Sequence, residues 1–199
     1  ESPKFIMFGG RGGSGKSWFT DTERNAENGW NIKFNKDEFI VLDADELKKE
    51  LPEFEGWNAG EVHEESSDLK KMIQARAKEM GLNIIIDGTM AYNPKKPNKV
   101  RDEMMEFKNS GYSLEAHYMF VPVQDSTKRA IFRFAHKDKD EQSPTYGQYD
   151  YKGRLVPMDI LLGMQDNEKS FDSVKDICDN WSFSDNQGKE PKLISQKGK

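Results

Sequence analysis

Cysteine is nearly absent from this chain: Cys178 is the single thiol in 199 residues. One thiol excludes an internal disulfide, and with only three histidines no Cys/His spacing suggests zinc. That usage fits a reducing, cytoplasmic setting. Long apolar runs are missing as well. None approaches the ~18 residues that cross a bilayer, so no membrane partner is expected, and no signal peptide is legible. The chain opens on Glu1 rather than Met, as expected of a piece of a longer sequence. Positive excess is also lacking. Asp and Glu number 35 against 30 Lys and Arg, for a net charge of −5, which argues against sequence-independent nucleic-acid binding. Repeats and long low-complexity tracts are absent, which excludes a solenoid.

What is present is the material of one domain, with 35% apolar and 33% charged residues. The pattern predicts a domain over 1–187 and a polar tail over 188–199, with a brief strand pairing at Leu193-Ile194. Lys4 to Phe8, Phe39 to Leu42, Asn83 to Ile86 and Tyr112 to Val121 are short apolar runs that read as buried strands. A last short strand is placed at Trp181 to Phe183. Between them, helices are predicted from Ser14 onward, over Glu46–Leu51, Ser66–Met80, Lys99–Asn109 and Asp125–Lys137, and over Met158–Ser170 behind Pro157. Lys139 to Gly153 is polar and turn-rich and reads as a loop. Alternation of this kind predicts an α/β fold, a parallel sheet flanked by helices on both faces. Ligands then gather at the carboxyl ends of the strands, where Gly9–Ser17, Asp43–Asp45 and Asp87–Thr89 all fall.

One of those segments carries a specific signal. Gly10-Arg11-Gly12-Gly13-Ser14-Gly15-Lys16-Ser17 satisfies G-x-x-x-x-G-K-[ST] at every position. It sits between a predicted strand and a predicted helix, the setting a Walker A phosphate loop requires. Glycines let backbone N–H groups curl around phosphate oxygens, and the following helix adds its positive end. Lys16 is expected to reach the β- and γ-phosphates of ATP and Ser17 to ligate Mg²⁺. Asp87 is placed where a second metal-site carboxylate usually sits, although a strand-end aspartate also begins turns.

Transfer to a hydroxyl further requires a carboxylate near the acceptor. Asp43 and Asp45 point the same way only while their segment stays extended. Asp45 is also a candidate N-cap for the helix after it. Arg129 and Arg133 share a helix face and are candidates to stabilise the transferring phosphoryl group, as is Arg154 before Pro157.

Taken in order, these pieces resemble the zeta toxin family of P-loop kinases over most of the chain. They are the phosphate loop, Val41 to Lys48 followed by Pro52-Glu53-Phe54, Val62 to Ser67, Ile84 to Thr89, Tyr118 to Val123, Arg133, Arg154 to Pro157, and Asp185-Asn186. The resemblance implies that Asp45 is the base that takes the acceptor's hydroxyl proton, and that Arg133 and Arg154 stabilise phosphate. It implies phosphorylation of the 3′-hydroxyl of UDP-N-acetylglucosamine by ATP·Mg²⁺, an activity that is toxic, and an antitoxin partner that blocks the nucleotide site. Two departures stand out. The stretch from Lys16 to Asp45 is long for the bacterial toxins, and Lys71 falls where a substrate-contacting carboxylate is expected. Glu64 or Glu65 is the candidate replacement, with Thr89 as a further acceptor contact. The expected function is therefore an ATP-dependent kinase of a small nucleotide-type acceptor. NAD, a nucleotide or a nucleic-acid end are alternative acceptors, and a non-transferring ATP-binding module is the alternative class.

Overall fold

The computed structural model describes residues 2–55, 57–58, 60–135, 147–148 and 156–197. The predicted loop at 139–153 lies almost wholly outside these residues, and Arg154 lies outside them. Six strands form one sheet: β1 (Lys4–Gly9), β2 (Phe39–Asp43), β3 (Asn83–Asp87), β4 (Ser113–Phe120), β5 (Asn180–Asp185) and β6 (Lys192–Gln196). Their spatial order is β2-β3-β1-β4-β5-β6. The first five run parallel, and β6 closes the edge antiparallel to β5. The helices are α1 (Thr22–Glu27), α2 (Ala44–Lys49), α3 (His63–Glu79), α4 (Lys99–Asn109), α5 (Val123–Phe134), α6 (Met158–Gly163) and α7 (Asn167–Asp172). None is long and apolar enough to cross a membrane, among the described residues.

Period-two alternation in β1 and β3 divides the core between the sheet's faces. Phe5, Met7, Ile84 and Ile86 pack with Met104, Phe107 and Phe171 of α4 and α7 on one side. Ile6, Phe8 and Ile85 pack with Phe19, Trp30 and Ile32 on the other. Full burial of each such side chain stabilises the fold by about 1.5–3 kcal/mol. The first face is covered by full-length helices. The second is covered by short elements and the extended Trp30–Phe34 stretch, whose aromatic side chains supply the area that a helix would.

The sequence expectation differs from the structure at two ends of the chain. The helix expected from Ser14 onward is a five-residue 3-10 helix, Lys16–Thr20. Asp21 then starts a new helix by accepting a hydrogen bond from the Arg24 N–H at 3.1 Å. Phe19, which has no exposed surface, is drawn into the core beside Phe8, and this ties the chain down before a second turn can form. At the other end, the brief pairing expected at Leu193-Ile194 is longer, running over Lys192–Gln196 as β6. Its Gln196 is buried; the side chain accepts from the Asn31 N–H at 2.9 Å and donates to the Gly29 carbonyl at 3.1 Å. Gln196→Ala is expected to cost about 2 kcal/mol, the sum of two ordinary hydrogen bonds. Urea denaturation monitored by tryptophan fluorescence measures it, and an unchanged midpoint would show that β6 is a passive addition.

Candidate active site

The phosphate loop turns out of β1 and is shaped by its carbonyls. Gly10 C=O accepts from Lys16 Nζ at 3.4 Å and Arg11 C=O from the Ser14 N–H at 3.0 Å. Gly12 C=O accepts from Ser126 Oγ at 2.7 Å, Gly13 C=O from Arg129 at 3.2 Å and Ser14 C=O from Asn186 Nδ2 at 2.8 Å. Gly15 C=O accepts from the Trp18 N–H at 3.0 Å. Every carbonyl from Gly10 to Gly15 is thus tied back into the protein. The N–H groups of Gly12, Gly13 and Gly15 make no hydrogen bond among the described residues. That arrangement is an anion cradle. Two glycines are sterically required. A Cβ on Gly10 would lie 2.5 Å from the Met119 carbonyl, and one on Gly15 would lie 2.4 Å from Asn186 Nδ2. Because only a short 3-10 helix follows, the expected contribution of a long helix dipole is not available, and the loop's amides and Lys16 carry the positive field.

Two side chains of the loop are buried away from the cavity that the loop borders. Arg11 is buried and turned inward. It forms a two-pronged ion pair with Glu168 of α7, one prong 2.8 Å long, and donates to the carbonyls of Val121 at 2.9 Å and Gln165 at 2.7 Å. Ser14 is also buried, its hydroxyl packed beneath Gly10. Both offer the loop their backbone alone.

Strand register brings the carboxylates together. Asp43 and Asp87 are Cα partners at the carboxyl ends of β2 and β3. Lys16 Nζ lies 3.8 Å from Asp87 Oδ1. Burial holds the Asp87 carboxyl above its ordinary range; Lys16 opposes this, Asp43 adds to it and Lys70 opposes it. The helix cap assigned to Asp45 belongs to Asp43, whose Oδ1 accepts from the Asp45 N–H at 2.8 Å. The chain therefore turns helical at Ala44, so extended-strand alternation does not relate the two side chains. Asp45 instead stands in the first turn of α2, 3.7 Å from the buried Lys48 Nζ.

A single cavity of about 1270 Å³ joins these groups. Gly13, Gly15, Lys16, Ser17, Asp45, Asp87, Thr89, Arg129 and Arg133 all line it. Arg133 also reaches the loop, since a Cβ on Gly12 would lie 3.7 Å from its Nη2. Glu64 is exposed on the first turn of α3 and is not among the lining residues; His63 and Ser67 are. Burial, then Lys48 and Lys99, lower the His63 pKa, Glu64 opposing, so the imidazole is neutral near pH 7. Among the described residues no group of three or more His, Cys, Asp or Glu forms a metal cage. Sequence reasoning missed Asn186 as a loop buttress and Lys70 as a cavity residue. Neither has a local pattern; a buried position on a charged helix was the only available signal for Lys70.

A parallel sheet, a phosphate loop at its switch point, and carboxylates and arginines around one cavity define a P-loop kinase, an ATP-dependent phosphotransferase. The chain belongs to the zeta toxin family, whose model matches residues 1–190. Structural neighbours agree in fold. A chain of the PezAT chromosomal toxin–antitoxin system of Streptococcus pneumoniae is 15% identical with a TM-score of 0.62, covering 98% of this chain and 72% of that one. AvrRxo1-ORF1:-ORF2 solved with ATP is 14% identical with a TM-score of 0.65, covering 98% and 58%. The same complex with sulphate ions is 13% identical with a TM-score of 0.63 and the same coverage. This chain therefore spans a little over half the length of the AvrRxo1 chain. No curated protein matches it in sequence.

The inward turn of Arg11 has a measurable consequence. Arg11→Met leaves Glu168 without its partner and is expected to destabilise the fold by about 3 kcal/mol or more, while nucleotide affinity of the folded protein changes little. Lys16→Met should do the reverse. Thermal melts and titration with a fluorescent ATP analogue separate the two, and an Arg11→Met protein of normal stability that fails to bind nucleotide would make Arg11 a phosphate ligand.

Proposed function

We propose that this protein transfers the γ-phosphate of ATP to a hydroxyl of a small nucleotide-type acceptor, UDP-N-acetylglucosamine or a related sugar nucleotide. We further propose that it acts in the cytoplasm as a toxin held in check by an antitoxin. The observation that carries the reading is the continuous cavity. It runs from the phosphate loop to Asp45 and on to the start of α4, and at about 1270 Å³ it exceeds the roughly 300–1,000 Å³ of a pocket for one ligand. Donor and acceptor therefore have room side by side.

Asp45 lines this space, half-exposed and next to Lys48. In the proposed step its carboxylate takes the acceptor's hydroxyl proton. The hydroxyl oxygen bonds to the γ-phosphorus as the bond to the β,γ-bridging oxygen breaks, and ADP leaves. Lys16 orients the β- and γ-phosphates, and Arg133, beside Gly12, neutralises charge on the group in flight. Arg154 is proposed to join it, from outside the described residues. Ser17 and Asp87 are hard oxygen donors that fit Mg²⁺, which keeps most of its ligands from water and phosphate; bound there, the ion neutralises β- and γ-oxygen charge. Thr89 is a proposed acceptor contact. The antitoxin and toxicity rest on the family and on the toxin–antitoxin origin of the pneumococcal neighbour.

Incubation with ATP·Mg²⁺ and a panel of UDP-N-acetylglucosamine, other sugar nucleotides, NAD and oligonucleotides should add one phosphate to a sugar nucleotide, read by mass spectrometry. Asp45→Asn is expected to lower that transfer by about 10²–10⁴-fold with ATP binding kept. Lys16→Met should remove turnover altogether. Transfer that survives Asp45→Asn at full rate would displace Asp45 as the base, and modification of NAD or an oligonucleotide alone would reassign the acceptor. Expression in a bacterial host should arrest growth for the native chain and not for Asp45→Asn.

A further inference from the structure

The wall built by α3 and the start of α4 is charged in an unexpected way. Lys70, Lys96 and Lys99 all line the cavity. Among the described residues, none of their ammonium groups makes a hydrogen bond or an ion pair. Lysines elsewhere on this wall are engaged: Lys71 donates to Asp68 at 2.8 Å, and Lys78 lies 3.8 Å from Glu106. Over the whole cavity, eight lysines and arginines face six aspartates and glutamates, in a chain whose net charge is −5.

Lys70 is the informative member. It is partly buried, and its pKa is lowered, first by burial and then by Lys99, with Glu103, Asp43 and Asp87 opposing. Burial of the Lys70 ammonium beside a cavity costs free energy while no anion contacts it, and Lys99 adds to that cost more weakly than Glu103 offsets it. Glu103 does not neutralise them by contact, because Oε1 accepts from Gln74 Nε2 at 3.0 Å and no ion pair to Lys70 or Lys99 forms. A bound polyanion supplies that contact. ATP is not required for this role, since its phosphates already have the loop amides and Lys16. A neutral sugar or nucleoside offers these groups nothing.

We propose that Lys70, Lys96 and Lys99 form an anion subsite for the acceptor, so that the protein selects acceptors that already carry a phosphate or diphosphate. The subsite rests on the kinase reading above and assigns its acceptor specificity. The departure at Lys71 then bears less on recognition, because that exposed ammonium, although it also lines the cavity, is engaged by Asp68, whereas Lys70, one residue earlier, makes no ion pair among the described residues.

Inorganic pyrophosphate tests the subsite without a choice of base or sugar. Protein saturated with a non-hydrolysable ATP analogue and Mg²⁺ is titrated calorimetrically with pyrophosphate. Binding is expected in the native chain and weakens as salt rises. Lys70→Met should weaken it about tenfold, as should the Lys96→Gln/Lys99→Gln pair, each removing charge-assisted contacts; Lys70→Arg should keep most of it. If Lys70→Met fails to fold, the exposed pair decides. Unchanged affinity in these variants would overturn the subsite, as would pyrophosphate binding that disappears once the analogue fills the phosphate loop. Lysine variants that leave pyrophosphate binding and transfer intact remove the subsite and keep the kinase. A protein that binds pyrophosphate through these lysines and phosphorylates no acceptor keeps the subsite and removes the kinase.

Discussion

The site depends on one constraint: the carbonyls of the phosphate loop must point away from the ligand. A backbone N–H faces a phosphate only if the neighbouring carbonyl dipole is turned elsewhere and satisfied there, since unpaired polar groups are costly. Here Ser126, Arg129 and Asn186 reach Gly12, Gly13 and Ser14 from two remote elements. Arg129 also donates to the Asn186 carbonyl at 2.8 Å, which locks the two buttresses to each other. Loop shape is thus a property of α5 and the end of β5 as much as of the glycines. Arg11 adds α7 to the same assembly through Glu168. With no long helix behind the loop, this external bracing takes over the task of holding the amides in place.

The second organising feature is strand register. Parallel pairing sets Asp43 against Asp87, two like charges at one sheet edge. Such a pair persists only with cations at hand, and Lys16 and Lys70 both act on Asp87. The division of labour between Asp43 and Asp45 follows from it. Asp43 caps α2, and that cap places Asp45 in the first helical turn; both carboxylates line the cavity. In the proposed transfer, Asp45 on this half-exposed first turn is the more accessible of the two to an acceptor hydroxyl.

Local signals carried much of this into the sequence. The glycine pattern located the loop, and apolar runs located β1, β2 and β3, while β4 and β5 were found although they bury Glu115, His117, Ser182 and Ser184. α4 was legible to the residue, from Lys99 to Asn109, since its Met104 and Phe107 face the core and Gly111 ends it. What escaped depends on tertiary contact. Helix formation after Ser14 is locally plausible, and only the pull of Phe19 into the core shortens it. Arg11 reads as a phosphate ligand by position, and only Glu168, far along the chain, turns it inward. Gln196 looks like tail polarity until its partners at Gly29 and Asn31 are known.

The charge of the cavity is the clearest case of information that composition conceals. A net charge of −5 describes the solvated surface, where acidic and basic residues pair along helix faces, as Glu46–Lys49, Asp68–Lys71 and Arg76–Glu79 do. Such pairs contribute little to stability, but they consume the surface lysines and leave the excess of acid outside. Inside, the balance reverses. The donor half concentrates its positive charge in Lys16, Arg129, Arg133 and the loop amides; on the α3–α4 wall, Lys70, Lys96 and Lys99 make no ion pair among the described residues. Under the proposed reading, an acidic exterior and a cationic cleft together favour small phosphorylated molecules over polymers. Selectivity of that kind needs no base-specific contact. It follows from where the charges are paired and where they are not.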